Sequence, residues 1–255
     1  MTLQLPNLHL GVKSPDVGNW QRFLNERGAR DANGRELVVD EDFGQRSAYA
    51  TRMWRTKHAL APAGVVDQAA RRVAVPQGFV QFLHAKHFTA VPASTPRPYD
   101  WLVFHDMEYP ETPEGAEWCA GFFAAATSPK ASTHFSVDSN SIVQQVRERD
   151  VAWGAEHANR RGIHVEHAGY AKQSRTEWLD PYSLLELTLS ARLFAKLARH
   201  YSIPVRKLTP DELRAGERGI CGHADVTKAF GPAGGHHDPG RLFPWDVYIP
   251  MVAAA

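Results

Sequence analysis

From Leu184 to Tyr201, after Asp180-Pro181, leucine recurs so often that a helix over this stretch is apolar around much of its circumference. Such a helix must be buried, and burial needs a second layer of structure. Aspartate followed by proline is a strong helix start: the carboxylate caps free amides, and proline is preset for the first helical position. Four short segments have the length and apolar content of strands: Trp101 to His105, Thr133 to Val137, Ile142 to Val146 and Arg161 to His167. The middle two flank the turn Asp138-Ser139-Asn140 and should pair. Thr112-Pro113-Glu114 starts a helix carrying Trp118, Phe122 and Phe123, and Thr209-Pro210-Asp211-Glu212 is a capping box. This order predicts an α/β domain, a mixed β-sheet flanked by helices.

The first 75 residues read differently. Ser14-Pro15 opens a helix with Val17, Trp20 and Leu24 at helical spacing, stopped by Gly28. A second helix carries Tyr49, Met53 and Trp54 on its expected apolar side. Gly64-Val65-Val66-Asp67 then echoes Val38-Val39-Asp40, giving a half-repeated loop-helix pattern. Between the two regions, residues 76 to 98 hold four prolines around Phe79-Val80-Gln81-Phe82-Leu83, the composition of a tethered connector. The expected division is a small helical domain over 1–75, a connector over 76–95 and the α/β domain over 96–255.

A chain of 255 residues is long enough for both cores. Its formal net charge of +1 gives no general attraction for nucleic acid. Cys119 and Cys221 alone make no disulfide framework. The start, Met1-Thr2-Leu3-Gln4-Leu5-Pro6, lacks the charged and apolar regions of a secretory signal, and no segment has the length of a membrane span. The expectation is a protein made in the cytoplasm, acting as a monomer without membrane insertion.

Chemistry concentrates in three places. His105 ends the apolar run from Trp101, sharing a strand face with Trp101 and Val103. Alternation in Ile163-His164-Val165-Glu166 puts the aliphatics on one face and His164 and Glu166 on the other. A carboxylate displayed from the middle of a sheet costs free energy unless paired or used, so Glu166 is either a salt-bridge partner of Arg160 or Arg161 or a general base. Third, Gly222-His223-Ala224-Asp225-Val226 is followed fifteen residues after His223 by Asp238-Pro239-Gly240. Two histidines, one carboxylate and an open position make a common catalytic zinc shell. Cys221, Asp225, His236 and His237 are ligand types too, and chemistry alone does not choose between Asp238 and His237.

Two resemblances add to this reading. The order helix, Val39-Asp40-x-x-Phe43-Gly44-x-x-Ser47, helix, Leu60-x-x-x-Gly64-Val65-Val66-Asp67 resembles the three-helix peptidoglycan-binding domain attached to many cell-wall hydrolases. Downstream, six motifs follow the order found in type-2 N-acetylmuramoyl-L-alanine amidases, which include phage lysozyme-type amidases and peptidoglycan recognition proteins. They are Val103-Phe104-His105, Ser132-Thr133-His134-Phe135, Ala152-Trp153-Gly154 with His157 and Asn159, Ile163-His164-Val165-Glu166, Gly222-His223-Ala224-Asp225-Val226, and Asp238-Pro239-Gly240-x-x-Phe243-Pro244-Trp245.

The second resemblance implies Zn2+ held by His105, His223 and Asp238, with Glu166 as catalytic acid/base. It also implies substrate contacts from His157, Asn159 and Thr133. Many members carry a lysine two residues before the last ligand, where this chain has His236; some carry a tyrosine where it has Thr133. An imidazole at 236 must be protonated to match lysine's charge, so activity is expected to fall at alkaline pH. The segment Thr227 to Gly235 looks longer than in relatives. The implied partner is polymeric peptidoglycan, cleaved between N-acetylmuramic acid and L-alanine. An endolysin-like enzyme would reach it by holin-type release or dedicated export. A non-catalytic wall-binding protein and a zinc peptidase cutting within the stem peptide are the alternatives.

Overall fold

The computed structural model describes residues 5–231 and 235–255, so the reading of Met1 to Gln4 and the centre of the 227–235 segment lie outside it. The chain divides into two compact units, Met1–Leu83 and His84–Ala255. None of the described helices is long and apolar enough to cross a membrane.

The first unit is built on α1 (Pro15–Glu26), α2 (Gln45–Lys57) and α3 (Gln68–Ala74), with a two-residue strand β1 (Gln81–Phe82). The Ser14 hydroxyl caps α1 by accepting from Val17 N–H, and the Asp67 carboxylate caps α3 by accepting from Ala70 N–H. An aromatic core follows from the spacing: Trp20 packs edge-on against Trp54 and Phe79, with ring centroids 5.2 and 5.0 Å apart. Phe79 thereby brings part of the expected connector into this unit. Buried Arg71 pairs with Asp16 at 2.6 Å, and Asp16 also accepts from Phe82 N–H.

Two details correct the sequence reading. Met53 is 50% exposed, because Trp54 and Ala50 take the buried side of α2. The valine echo is not a structural repeat either. Val66 is fully buried and bridges Leu8, whereas Val38 and Val39 lie open to solvent and Asp40 accepts from Gln21 instead of capping a helix.

The second unit contains β2 (Trp101–Asp106), α4 (Gly115–Ala124), β3 (Phe135–Val137), β4 (Ile142–Gln144) and β5 (Gly162–His167). It continues with α5 (Pro181–Tyr201), α6 (Pro210–Arg214), β6 (Gly219–Gly222), α7 (His223–Phe230) and α8 (Trp245–Ala254). Within it the sheet runs β4-β3-β5-β2-β6. β3 and β4 are the expected antiparallel pair, and β3, β5, β2 and β6 lie parallel. The sheet is mixed and flanked by helices, as the pattern predicted.

Alternation sorts the side chains between two layers. Phe104 and His167 stack at 3.5 Å on one face, beside Phe194 of α5 and Tyr248 of α8. Trp101, Val103 and Cys221 belong to the other layer, packed with Leu213 of α6 and Val226 of α7. The capping box at Thr209 and Glu212 forms in both directions.

Candidate metal centre

His105 is the fifth residue of β2, on the α6/α7 face and near the carboxyl end of the sheet. Glu166 lies opposite it on the neighbouring strand, in register. Parallel neighbours in register point the same way, so strand alternation alone places both groups on one face. His223 arrives from the other side, where β6 ends at Gly222 and α7 begins. Gly222 is required at this junction, because a Cβ there would lie 2.6 Å from Pro239 Cδ. The close approach sets the Asp238-Pro239 segment, joined by a cis peptide, against the first turn of α7. Ala224 N–H donates to the Asp238 carbonyl at 2.8 Å, which fixes the carboxylate beside His223.

The outcome is a convergent donor set. His105 Nδ1 lies 3.2 Å from Asp238 Oδ2, and His223 Nδ1 lies 3.4 Å from Asp238 Oδ1. All three residues are buried, and one ligand atom from each lies within 4.8 Å of the others. Burial raises the Asp238 carboxyl, but hydrogen bonds from His105 and His223 outweigh it and hold the group well below the usual carboxylate range. Burial lowers His223, so its imidazole is neutral near pH 7. An ionised carboxylate and a neutral imidazole are states in which such groups hold a divalent metal, and two histidines with one aspartate suit zinc.

The other ligand types do not join this set. Cys221 packs into the apolar layer. The Asp225 carboxylate accepts from Gly222 N–H at 2.8 Å and from Lys207 at 2.7 Å. His237 is exposed and lines a cleft with Lys207, Lys228, Arg241 and Trp245. Of the two candidates that chemistry left open, Asp238 lies within the buried donor set and His237 does not. His236 is 69% exposed, stacks on His223 at 4.0 Å, and has Nδ1 3.8 Å from Asp238 Oδ1. Burial and the nearby His223 lower its pKa, which leaves a neutral hydrogen-bonding imidazole near pH 7.

Glu166 has no salt-bridge partner among the described residues, and its buried Oε2 has no hydrogen-bond partner. Burial, joined by the charges of Asp238 and Asp106, raises its carboxyl well above the usual range. Asp106 is itself pushed up to about 8, by burial first and then by Asp238 and Glu108. Together these carboxyls retain protons far more strongly than free ones, a pattern frequent at acid-base sites.

The three expected substrate contacts separate. His157 is exposed, its ring 5.7 Å from that of Phe230. The Asn159 amide oxygen accepts from Ala155 N–H at 2.8 Å, closing a turn. Thr133 is fully buried and donates to the His164 carbonyl at 2.8 Å, so it is not displayed to a ligand. Sequence reasoning gave no role to His164. Its Nδ1 lies 3.0 Å from His105 Nε2. The signal was its place on Glu166's face of the strand.

Residues 95–241 match the family model described as N-acetylmuramoyl-L-alanine amidase. This chain belongs to that family. No curated protein matches the chain. Solved structures similar to it include the Staphylococcus aureus hydrolase AmiA in complex with its ligand, at 15% identity and TM-score 0.45, covering 71% of this chain and 87% of that one. An AmpD derivative is similar at 18% identity and TM-score 0.49, covering 68% and 93% respectively. A mutant endolysin from Bacillus subtilis is similar at 18% identity and TM-score 0.44, covering 68% and 99%.

Proposed function

We propose that this amidase-family chain hydrolyses the amide joining the lactyl group of N-acetylmuramic acid to L-alanine of the stem peptide. In this reading Zn2+ is held by His105, His223 and Asp238. The observation that carries it is the convergence of both Nδ1 atoms on the Asp238 carboxylate, with Glu166 facing His105 across β2 and β5. When bound, zinc would supply Lewis acidity, lowering the pKa of water to about 7 and polarising the carbonyl under attack.

The protein's own groups do the rest. Ionised Glu166 takes the proton of the attacking water and passes it to the leaving nitrogen, so the C–N bond breaks to give a carboxylate and a free amine. A carboxyl raised by burial and by neighbouring carboxylates is well suited to both halves of that transfer. His236, exposed beside the ligands, donates a hydrogen bond to the oxyanion as a neutral imidazole. His157 contacts the glycopeptide from the surface. Asn159 and Thr133 act on the backbone instead, because their side chains are already engaged there.

The helical first unit tethers the enzyme to polymeric wall, raising local substrate concentration. Its support is the sequence resemblance of residues 10–75. The setting is cell-wall degradation of the endolysin type. The test is metal content followed by digestion of purified wall. One zinc per chain and chelator-sensitive release of amino groups support the proposal; zinc binding without any release would identify a wall-binding protein instead.

A further inference from the structure

His164 sits on the same strand as Glu166 and on the same face, yet the reaction above gives it nothing to do. It is fully buried, and its Nδ1 faces His105 Nε2 at 3.0 Å. His105 turns its other nitrogen, Nδ1, toward Asp238. If Nδ1 is the metal donor, the His105 proton must reside on Nε2, where His164 Nδ1 is its acceptor. A metal-bound histidine commonly gives its second N–H to a carboxylate or a carbonyl. Here a second histidine occupies that place.

We infer that His164 is a positioning residue for the metal centre: its Nδ1 accepts the His105 Nε2 proton, fixing the tautomer and ring plane that aim Nδ1 at zinc. This rests on the zinc reading above.

Several independent contacts hold His164 in that pose. Its backbone N–H donates to His134 Nδ1 at 3.0 Å. Its carbonyl accepts from His134 N–H at 3.1 Å and from the Thr133 hydroxyl at 2.8 Å. The rings of His134 and His164 are nearly parallel, 8° apart with centroids at 5.7 Å. Behind the ring lies Gly154, where a Cβ would come within 2.8 Å of both Cγ and Nδ1. Gly154 thus confines the ring, and Thr133 holds the backbone that carries it.

The far nitrogen is informative as well. His164 Nε2 is buried without a hydrogen-bond partner. Accepting at Nδ1 requires the His164 proton to sit on Nε2, and an unpartnered buried N–H persists only where something compensates for it. The bond to His105 is that compensation.

The test uses the full chain and measures zinc affinity by competition with a chelator of known strength. His164→Leu keeps an apolar side chain of similar reach but removes the acceptor. His164→Asn restores an acceptor oxygen near the position of Nδ1. Gly154→Ala displaces the ring without changing it. Zinc binding should be roughly 10–100-fold weaker in His164→Leu, substantially recovered in His164→Asn, and weakened in Gly154→Ala. Thermal midpoints of the metal-free proteins should stay close enough to wild type to show that all are folded. Wild-type affinity in His164→Leu, or equal losses in the Leu and Asn variants, would overturn the positioning role. A wild-type chain that binds no zinc would overturn the zinc reading itself.

Discussion

At Glu166 two opposing demands meet. The acid-base role needs a carboxylate that can ionise beside a metal, while burial and the charges of Asp238 and Asp106 favour its protonated form. Substitution by glutamine removes the proton acceptor and keeps the shape. We expect Glu166→Gln to slow wall hydrolysis by about 10²- to 10⁴-fold, with zinc content unchanged; near-normal turnover would remove Glu166 from the proton path. Much of this site was legible because strand alternation is a strict geometric rule. It put His105 on the face of Trp101 and Val103, and His164 with Glu166. Thr133 was not legible, because its hydroxyl finds the His164 carbonyl, 31 residues away in sequence. His236 was half legible: its place beside Asp238 followed from its position two residues upstream, but the lowering of its imidazole depends on burial and on His223.

Among the elements, α5 shows where periodicity runs out. Its composition suggested burial around most of the helix, yet Leu184 and Leu185 are 41% and 59% exposed. A helix lying on one sheet face can bury only one side. Here Leu187, Ala191, Phe194 and Ala198 turn inward, while Arg192 and Lys196 face solvent. Leucine count does not report this, because exposed leucine is tolerated on any folded surface. The difference is measurable by urea unfolding. Phe194→Ala should destabilise the protein by about 3–5 kcal/mol, whereas Leu185→Ala should stay within about 0.5 kcal/mol. Equal effects would contradict the assigned face. Caps were easier to read than faces, since the start at Asp180-Pro181 and the box at Thr209 and Glu212 are local chemistry and form as expected.

For the whole molecule, buried charge sets the response to pH. His134 and His167 are lowered by burial to about 3 and are neutral in the fold near neutral pH, while the unfolded chain sheds its imidazole protons around pH 6.5, a smaller contribution opposite in sign to that of the carboxyls. Asp106 and Asp138 are raised by burial to about 8 and about 7, so the folded protein holds protons that the unfolded chain, with ordinary carboxyls near 3.8, has released. More protons bound in the folded state means stability that is lost as pH rises through those folded values. Metal-free protein should therefore lose on the order of 1–2 kcal/mol from Asp106 between pH 6.5 and 8, seen as a falling urea midpoint. A rising midpoint would show that these carboxyls are ionised in the fold.

The central claim concerns which bond is cut, and product mass analysis of digested wall addresses it directly. Purified peptidoglycan incubated with the zinc-loaded protein should give glycan strands stripped of peptide and stem peptides that begin with a free L-alanine amine. Products cleaved within the stem peptide, or an undigested wall in the presence of zinc-loaded protein, would contradict the account.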